Sequence, residues 1–370
     1  MINCRSVFMS NKLLLSRPLC VIFVAFSFGL VGCNYAGNLV GPSSPTTVSS
    51  SETNNNLPKV VATTSVLCDL VKQVAENTIN LTCLISPDTD PDRYQPKPED
   101  RQAIEQAKVI FFNGYNLEPS LFKLIKASKN GAAKIAVAQR AVPKPLKYPK
   151  NGKLVSNPYV WHDPKNGIKM TEVISSNLSK AIPENATLYG RNTQKIKKEL
   201  NQLNVWIKLR VDSIPANNRR LATTNNAMAY YAKAYNIASI NALESINTNS
   251  KPTPAKVKAV AREIRRSKVP TIFVDTTTNS NVINTVAKQA DVKVSERKLL
   301  TDNLGKPGNY GDTYQKMLTA NTRTIVEGLG GTYLIFEPQA FANKISFIQF
   351  HRRKAEGRRG SPQIRDSESE

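Results

Sequence analysis

Two stretches organise the chain: Asp90-Pro91-Asp92-Arg93-Tyr94-Gln95-Pro96-Lys97-Pro98-Glu99-Asp100 and Asn157-Pro158-Tyr159-Val160-Trp161-His162-Asp163-Pro164. Each is a proline-punctuated loop that carries oxygen-bearing side chains and runs into a helical pattern. Pro98 opens a short helix to Ala107, and apolar residues recur at helical spacing from Asn166 to Ile182. Outward from these loops, β-rich runs alternate with helical periods. Lys59 to Thr63, Ile79 to Ile85, Lys108 to Phe112 and Lys134 to Ala138 read as strands, with helices at Ser65 to Glu76 and near Glu118 to Ala127. A Pro-Glu break at Pro183 precedes a long helical stretch, Thr187 to Val211, and the alternation then restarts. Leu221 to Thr224, Ala238 to Asn241, Thr271 to Asp275 and Val292 to Val294 read as strands. Helices fall near Ala227 to Ala234, Pro254 to Ser267, Asn281 to Ala290 and Asp312 to Leu329, and Thr332 to Pro338 as a closing strand. Strands alternating with helices imply parallel sheets covered on both faces, so the predicted class is α/β with two lobes.

The amino terminus reads as a targeting segment. Arg5, Lys12 and Arg17 precede an apolar run from Leu19 to Val31 that is short for a membrane span, the pattern of a signal peptide over residues 1–32. Residues 33–57 are rich in Ser, Thr, Asn and Gly and read as a flexible tether. At the other end, 338–370 is charged and poor in apolar residues, and reads as a basic, disordered tail.

Of five cysteines, Cys68 and Cys83 remain beyond the signal and Cys33. Two readings stand for them: a pair in an oxidising compartment, or two buried thiols. The absence of a CxxC or Cys/His cluster disfavours structural zinc. The net charge of +23 in 370 residues is spread along amphipathic helices, which fits solvated faces with attraction to anionic lipid rather than nucleic-acid binding. There is no Walker loop, HExxH or GxSxG, so no enzyme is expected.

The two opening stretches resemble the D-P-H-x-Y-E-P-T-P-x-D and N-P-H-x-W-L-D-P motifs of the substrate-binding proteins of bacterial ABC importers for manganese, zinc and iron. The resemblance covers roughly residues 58 to 333. Phe112-Asn113-Gly114-Tyr115-Asn116-Leu117-Glu118-Pro119 looks like the family's Y-N-G-x-x-L-E-P turn, and Ile272-Phe273-Val274-Asp275 like its I-F-x-E strand. Ala222 to Tyr231 is similar to T-S-E/H-G-A-F-x-Y-F, and Thr301 to Gly305 with Gly311 to Tyr314 looks like the segment bearing the last ligand.

The resemblance implies an N-terminal lobe at 58–165, a linking helix at 166–182, a C-terminal lobe at 183–337, and metal held between the lobes. Leu30-Val31-Gly32-Cys33, at the end of the apolar run, resembles the bacterial lipobox with Cys33 as the lipidated residue, and the family resemblance implies a monomer on the extracytoplasmic side of a bacterial membrane, serving an ABC permease. A generic export signal with an incidental Cys, or an uncleaved anchor, is the other reading. By motif the four metal-ligand positions fall on Asp92, Tyr159, Asn225 and Asp302, the first two of which are His in the family. All four are oxygen donors, which suit manganese, with iron or zinc as further cargo. His162, three residues after Tyr159, is a candidate replacement imidazole or a hydrogen-bonded side chain. A member of the family that binds no metal and acts as a surface interaction or adhesion lipoprotein is the competing reading.

Overall fold

The computed structural model describes residues 56–338 apart from 88, 151, 244–251 and 279. The predicted signal, Cys33, almost all of the tether and the tail beyond Pro338 lie outside the described residues.

Strand β1 (Lys59–Ala62) is followed by α1 (Ser65–Ala75) and β2 (Asn80–Cys83). Next come α2 (Pro98–Gln106), β3 (Val109–Phe112), α3 (Pro119–Ala127), β4 (Ala133–Ala136) and α4 (Val137–Ala141). These strands form a four-stranded parallel sheet in the order β2-β1-β3-β4. Its centre is apolar without alternation: all four residues of β3, Val-Ile-Phe-Phe, are buried, as a parallel strand covered on both faces requires. Thr64 starts α1 by accepting the Leu67 amide on its hydroxyl at 3.3 Å. A Cys68–Cys83 disulfide ties α1 to the end of edge strand β2 across a Cα separation of 5.8 Å, so of the two readings the structure takes the paired one.

An antiparallel hairpin, β5 (Lys147–Lys150) and β6 (Lys153–Ser156), then leads into the second loop. The alternation pattern did not predict it, although Asn151-Gly152 is a strong hairpin dipeptide and Gly152 sits at φ +73°.

After the loop come α5 (Pro164–Ala181) and α6 (Ala186–Asp212). Residues 166–182 were expected to link the lobes. In the structure that stretch belongs to α5, which lies against α1, α4 and β3 of the first half and whose Gly167 backs onto Tyr314 of the second. Helix α6, 27 residues and about 40 Å long, packs on α1 and α5 and leads directly to the second half. That half contains β7 (Arg220–Thr223), α7 (Ala229–Ala234), β8 (Ala238–Ile240), α8 (Pro254–Arg266), β9 (Thr271–Phe273), α9 (Ser280–Ala290), β10 (Lys293–Val294) and α10 (Tyr314–Gly328). Its parallel sheet runs β10-β9-β7-β8, and α10 returns to pack on α6. Helix α6 thus packs on elements of both halves, on α1 and α5 of the first and on α10 of the second, and buries Tyr189, Ile196, Leu200, Leu203, Trp206 and Val211.

Residues 332–338 are not a strand. Thr332 is bonded through its amide to Ser213 Oγ at 2.9 Å, and Tyr333 and Phe336 rest against Trp206 of α6, with ring centroids 5.7 and 5.5 Å away.

Candidate metal centre

The first loop is a 3-10 turn, Pro91–Arg93, whose shape is set by Asp90: its carboxylate accepts the Asp92 amide at 3.0 Å and meets Arg93 Nε at 3.3 Å. The turn carries the Asp92 side chain outward. Half exposed, it pairs with Lys150 Nζ of the hairpin at 3.4 Å. Asp90 is more enclosed, and burial raises its pKa.

In the second loop Asn157 accepts the Tyr159 amide at 3.0 Å, and its Nδ2 donates to the Asn226 carbonyl of the other half at 2.9 Å. Pro158 is held by Asn113, whose Nδ2 donates to its carbonyl at 3.1 Å. Tyr159 packs edge-on to Trp161, with centroids 5.5 Å apart at 72°. Burial pushes its hydroxyl pKa well up, and the carboxylates of Asp302 and Asp90 beside it add to the shift.

From the second half, Asn225 follows β7 and caps the turn Asn226–Met228 by accepting the Ala227 amide at 3.0 Å; its Nδ2 lies 3.4 Å from Asp275 Oδ2. Asp275, just after β9, is buried and wrapped in donors. The Thr277 amide and hydroxyl reach Oδ1 at 2.9 and 2.7 Å, while the hydroxyls of Thr278, at 2.8 Å, and Thr224 reach Oδ2. Asp302 is 3% exposed and takes the hydroxyls of Thr277 and Thr301 on Oδ2, each at 3.0 Å. Thr277 has one hydroxyl hydrogen and two carboxylate neighbours, so both contacts are hydrogen bonds only when a carboxyl carries a proton. Asp302 is suited to carry it: burial first, then the charges of Asp275 and Asp90, push its pKa up to about 7.

The Thr301–Leu304 loop of the second half is pinned to the first. Asn303 Nδ2 donates to the Thr89 carbonyl at 2.6 Å, the Leu304 amide to Ser65 Oγ at 3.0 Å, and His162 Nε2 to the Thr301 carbonyl at 2.8 Å. With that proton on Nε2, only Nδ1 of His162 retains a lone pair, and it is buried without a hydrogen-bond partner. The imidazole is fully buried, which lowers its pKa to about 4. His162 is thus engaged as a hydrogen-bonded contact between the halves.

Of the four mapped positions, the structure gathers Tyr159, Asn225 and Asp302 around the buried carboxylates, and leaves Asp92 on the rim with Lys150. Asp90 and Asp275, which motif mapping passed over, are the acids whose charges reach Asp302. The signal for Asp90 was its place as a turn cap before Pro91. Among the described residues no three His, Cys, Asp or Glu side chains converge as a ready-made metal cage. A cation here would also need neutral oxygens: the amide of Asn225, threonine hydroxyls, the Tyr159 hydroxyl or water.

Two parallel α/β sheets joined through a long helix, with polar loops from each meeting between them, define a two-lobed substrate-binding protein. Comparison with known proteins gives the family. The family described as zinc-uptake complex component A, periplasmic (ZnuA) matches residues 60–328. The manganese ABC transporter substrate-binding lipoprotein PsaA of Streptococcus pneumoniae is 31% identical over 313 residues, covering 83% of this chain and 96% of PsaA. The metal ABC transporter substrate-binding lipoprotein SloC of Streptococcus mutans is 33% identical over 276 residues, covering 73% and 89%. Among solved structures, the periplasmic zinc-binding protein TroA of Treponema pallidum superposes with a TM-score of 0.67 at 24% identity, covering 74% of this chain and 99% of TroA. The chain belongs to the ZnuA family of metal ABC transporter substrate-binding proteins, and its relatives are binding proteins rather than enzymes.

Proposed function

We propose that this chain captures a divalent cation outside the cytoplasmic membrane and delivers it to the permease of an ABC importer, with manganese favoured over zinc and iron a further cargo. It acts as a monomer held to the membrane through lipidated Cys33, and nucleic acid is not a partner. The observation that carries the cation preference is the chemistry around Asp302: carboxylate, amide and hydroxyl oxygens. Oxygen donors suit hard cations that keep some water, whereas zinc gains most from imidazole and thiolate. In this reading Asp302 is the principal ligand, Asn225 and Tyr159 contribute neutral oxygens, and Asp92 is the rim residue that a turn of its loop would have to bring in.

The test is calorimetric titration of manganese and zinc into the unaltered chain and into Asp302→Ala. Manganese binding lost in the variant supports the reading. Binding unaffected by the substitution overturns the assignment of the site.

A further inference from the structure

Between Glu118 and Asp163 the chain has 44 residues with no acidic side chain and nine basic ones: Lys123, Lys126, Lys129, Lys134, Arg140, Lys144, Lys147, Lys150 and Lys153. At the chain's average of 28 acids in 370 residues, a stretch this long would hold about three. The segment thus supplies nine of the 23 net positive charges. It folds as α3, the edge strand β4, α4 and the β5–β6 hairpin, and eight of the nine cations are exposed, Lys134 being the exception. Among the described residues their one ion pair is Lys150 with Asp92.

Exposed apolar side chains stand among these cations, and in β6 Leu154 points to the same side as Ser156 and the paired Lys147. Leu154, beside Lys153, is 71% exposed and Phe122, beside Lys123, is 40% exposed. Phe122 of α3 and Val155–Ser156 of β6 wall one groove of about 370 Å³, so helix and hairpin share that face. A solvated surface needs charge but gains nothing from a leucine at a hairpin end, and a protein interface depletes lysine. Lysines around protruding apolar groups match a bilayer interface, where the ammonium groups meet anionic headgroups and the apolar groups enter the acyl boundary.

We infer that the α3 and hairpin face is a docking surface for anionic membrane lipid, orienting the first lobe against the bilayer. This rests on the proposed extracytoplasmic, membrane-attached function and adds a second contact to the anchor.

The experiment uses the full chain carrying Cys33→Ser, so that an attached lipid does not dominate. Its sedimentation with vesicles of phosphatidylcholine is compared with that on vesicles containing one third phosphatidylglycerol. The predicted result is binding to the anionic vesicles that weakens with salt, falls by about tenfold or more in Lys123→Glu/Lys126→Glu/Lys147→Glu/Lys153→Glu, and falls several-fold in Leu154→Ser. The apolar run at residues 19–31 is present in every variant and cancels in the comparison. Equal binding to the two vesicle types, or a quadruple variant that binds as the parent does, overturns the inference. So does a variant that keeps vesicle binding but loses co-purification with the permease, which would make the face a protein contact. Manganese titration of the same proteins keeps the two readings apart: a parent that binds no cation overturns the transport reading and leaves the lipid result standing.

Discussion

His162 Nε2 lies 2.8 Å from the carbonyl oxygen of Thr301, joining the second loop of the first half to the residue before Asp302. Its Nε2–H is committed to that carbonyl, and what shifts its pKa is burial and the Thr301 bond, with no carboxylate among the causes, so its part is to join the halves. His162→Leu, which restores the residue type found in the family motif, is therefore expected to leave manganese affinity within about threefold while removing a hydrogen bond of about 1 kcal/mol. Calorimetry and denaturant unfolding on one preparation separate these effects. A collapse of affinity with unchanged stability would mark His162 as a ligand.

The same residue shapes the acid response. Its folded pKa of about 4 lies below the ordinary 6.5, so the unfolded chain binds the extra proton and stability falls as pH drops from 6.5 toward 4. The shift corresponds to about 3 kcal/mol once both values are passed. Glu118 works in the opposite direction. Buried against the Asn113 amide and the Thr63 hydroxyl, it has a pKa raised from 4.5 to about 7, chiefly by burial, so stability is lost as pH rises through that window. The two slopes oppose each other over much of the same range. Glu118→Gln is expected to expose the His162 slope, with stability rising from pH 4 to 6.5 more steeply than in the parent. An unchanged pH profile of unfolding free energy would mean that Glu118 titrates normally.

The disulfide closes a loop between residues 15 apart and fastens edge strand β2 to α1. Loop-closure entropy for that separation amounts to about 3 kcal/mol. Cys68→Ser/Cys83→Ser should lower the unfolding free energy by that order, and a reductant should destabilise the parent but not the variant. Equal denaturation midpoints for the parent with and without reductant would show that the two sulfurs are not joined.

Within the site, burial and charge rank the acids. Asp302→Ala is expected to weaken manganese binding by more than about tenfold, and Asp90→Ala to weaken it measurably, because the Asp90 charge reaches Asp302. Asp92→Ala should change it little, since that carboxylate faces Lys150. The reverse order would show that cation entry swings the Asp92 turn inward.

The repeated strand and helix order was legible because β3 is apolar throughout and Thr64 and Thr313 announce helix starts with hydroxyl caps. That α6 packs on elements of both halves was not. Helical periodicity in α5 and α6 is similar, and only tertiary contacts decide which helix meets both halves. At the candidate site, motif order pointed to Tyr159, Asn225 and Asp302, whose side chains lie around Asp275 and Asp90. It could not show that a 3-10 turn points Asp92 away from them, or that Asp275 would gather Thr224, Asn225, Thr277 and Thr278 around one carboxylate. Spacing along the chain carries no information about side-chain direction in an irregular loop.

The most direct test of the oxygen-donor account is the ratio of zinc to manganese affinity, measured by calorimetry in the unaltered chain and in Asp92→His/Tyr159→His. The unaltered chain is expected to bind manganese at least as tightly as zinc, and the two added imidazoles to raise zinc affinity far more than manganese affinity. Tight zinc binding by the unaltered chain, with no gain in the double variant, would contradict it.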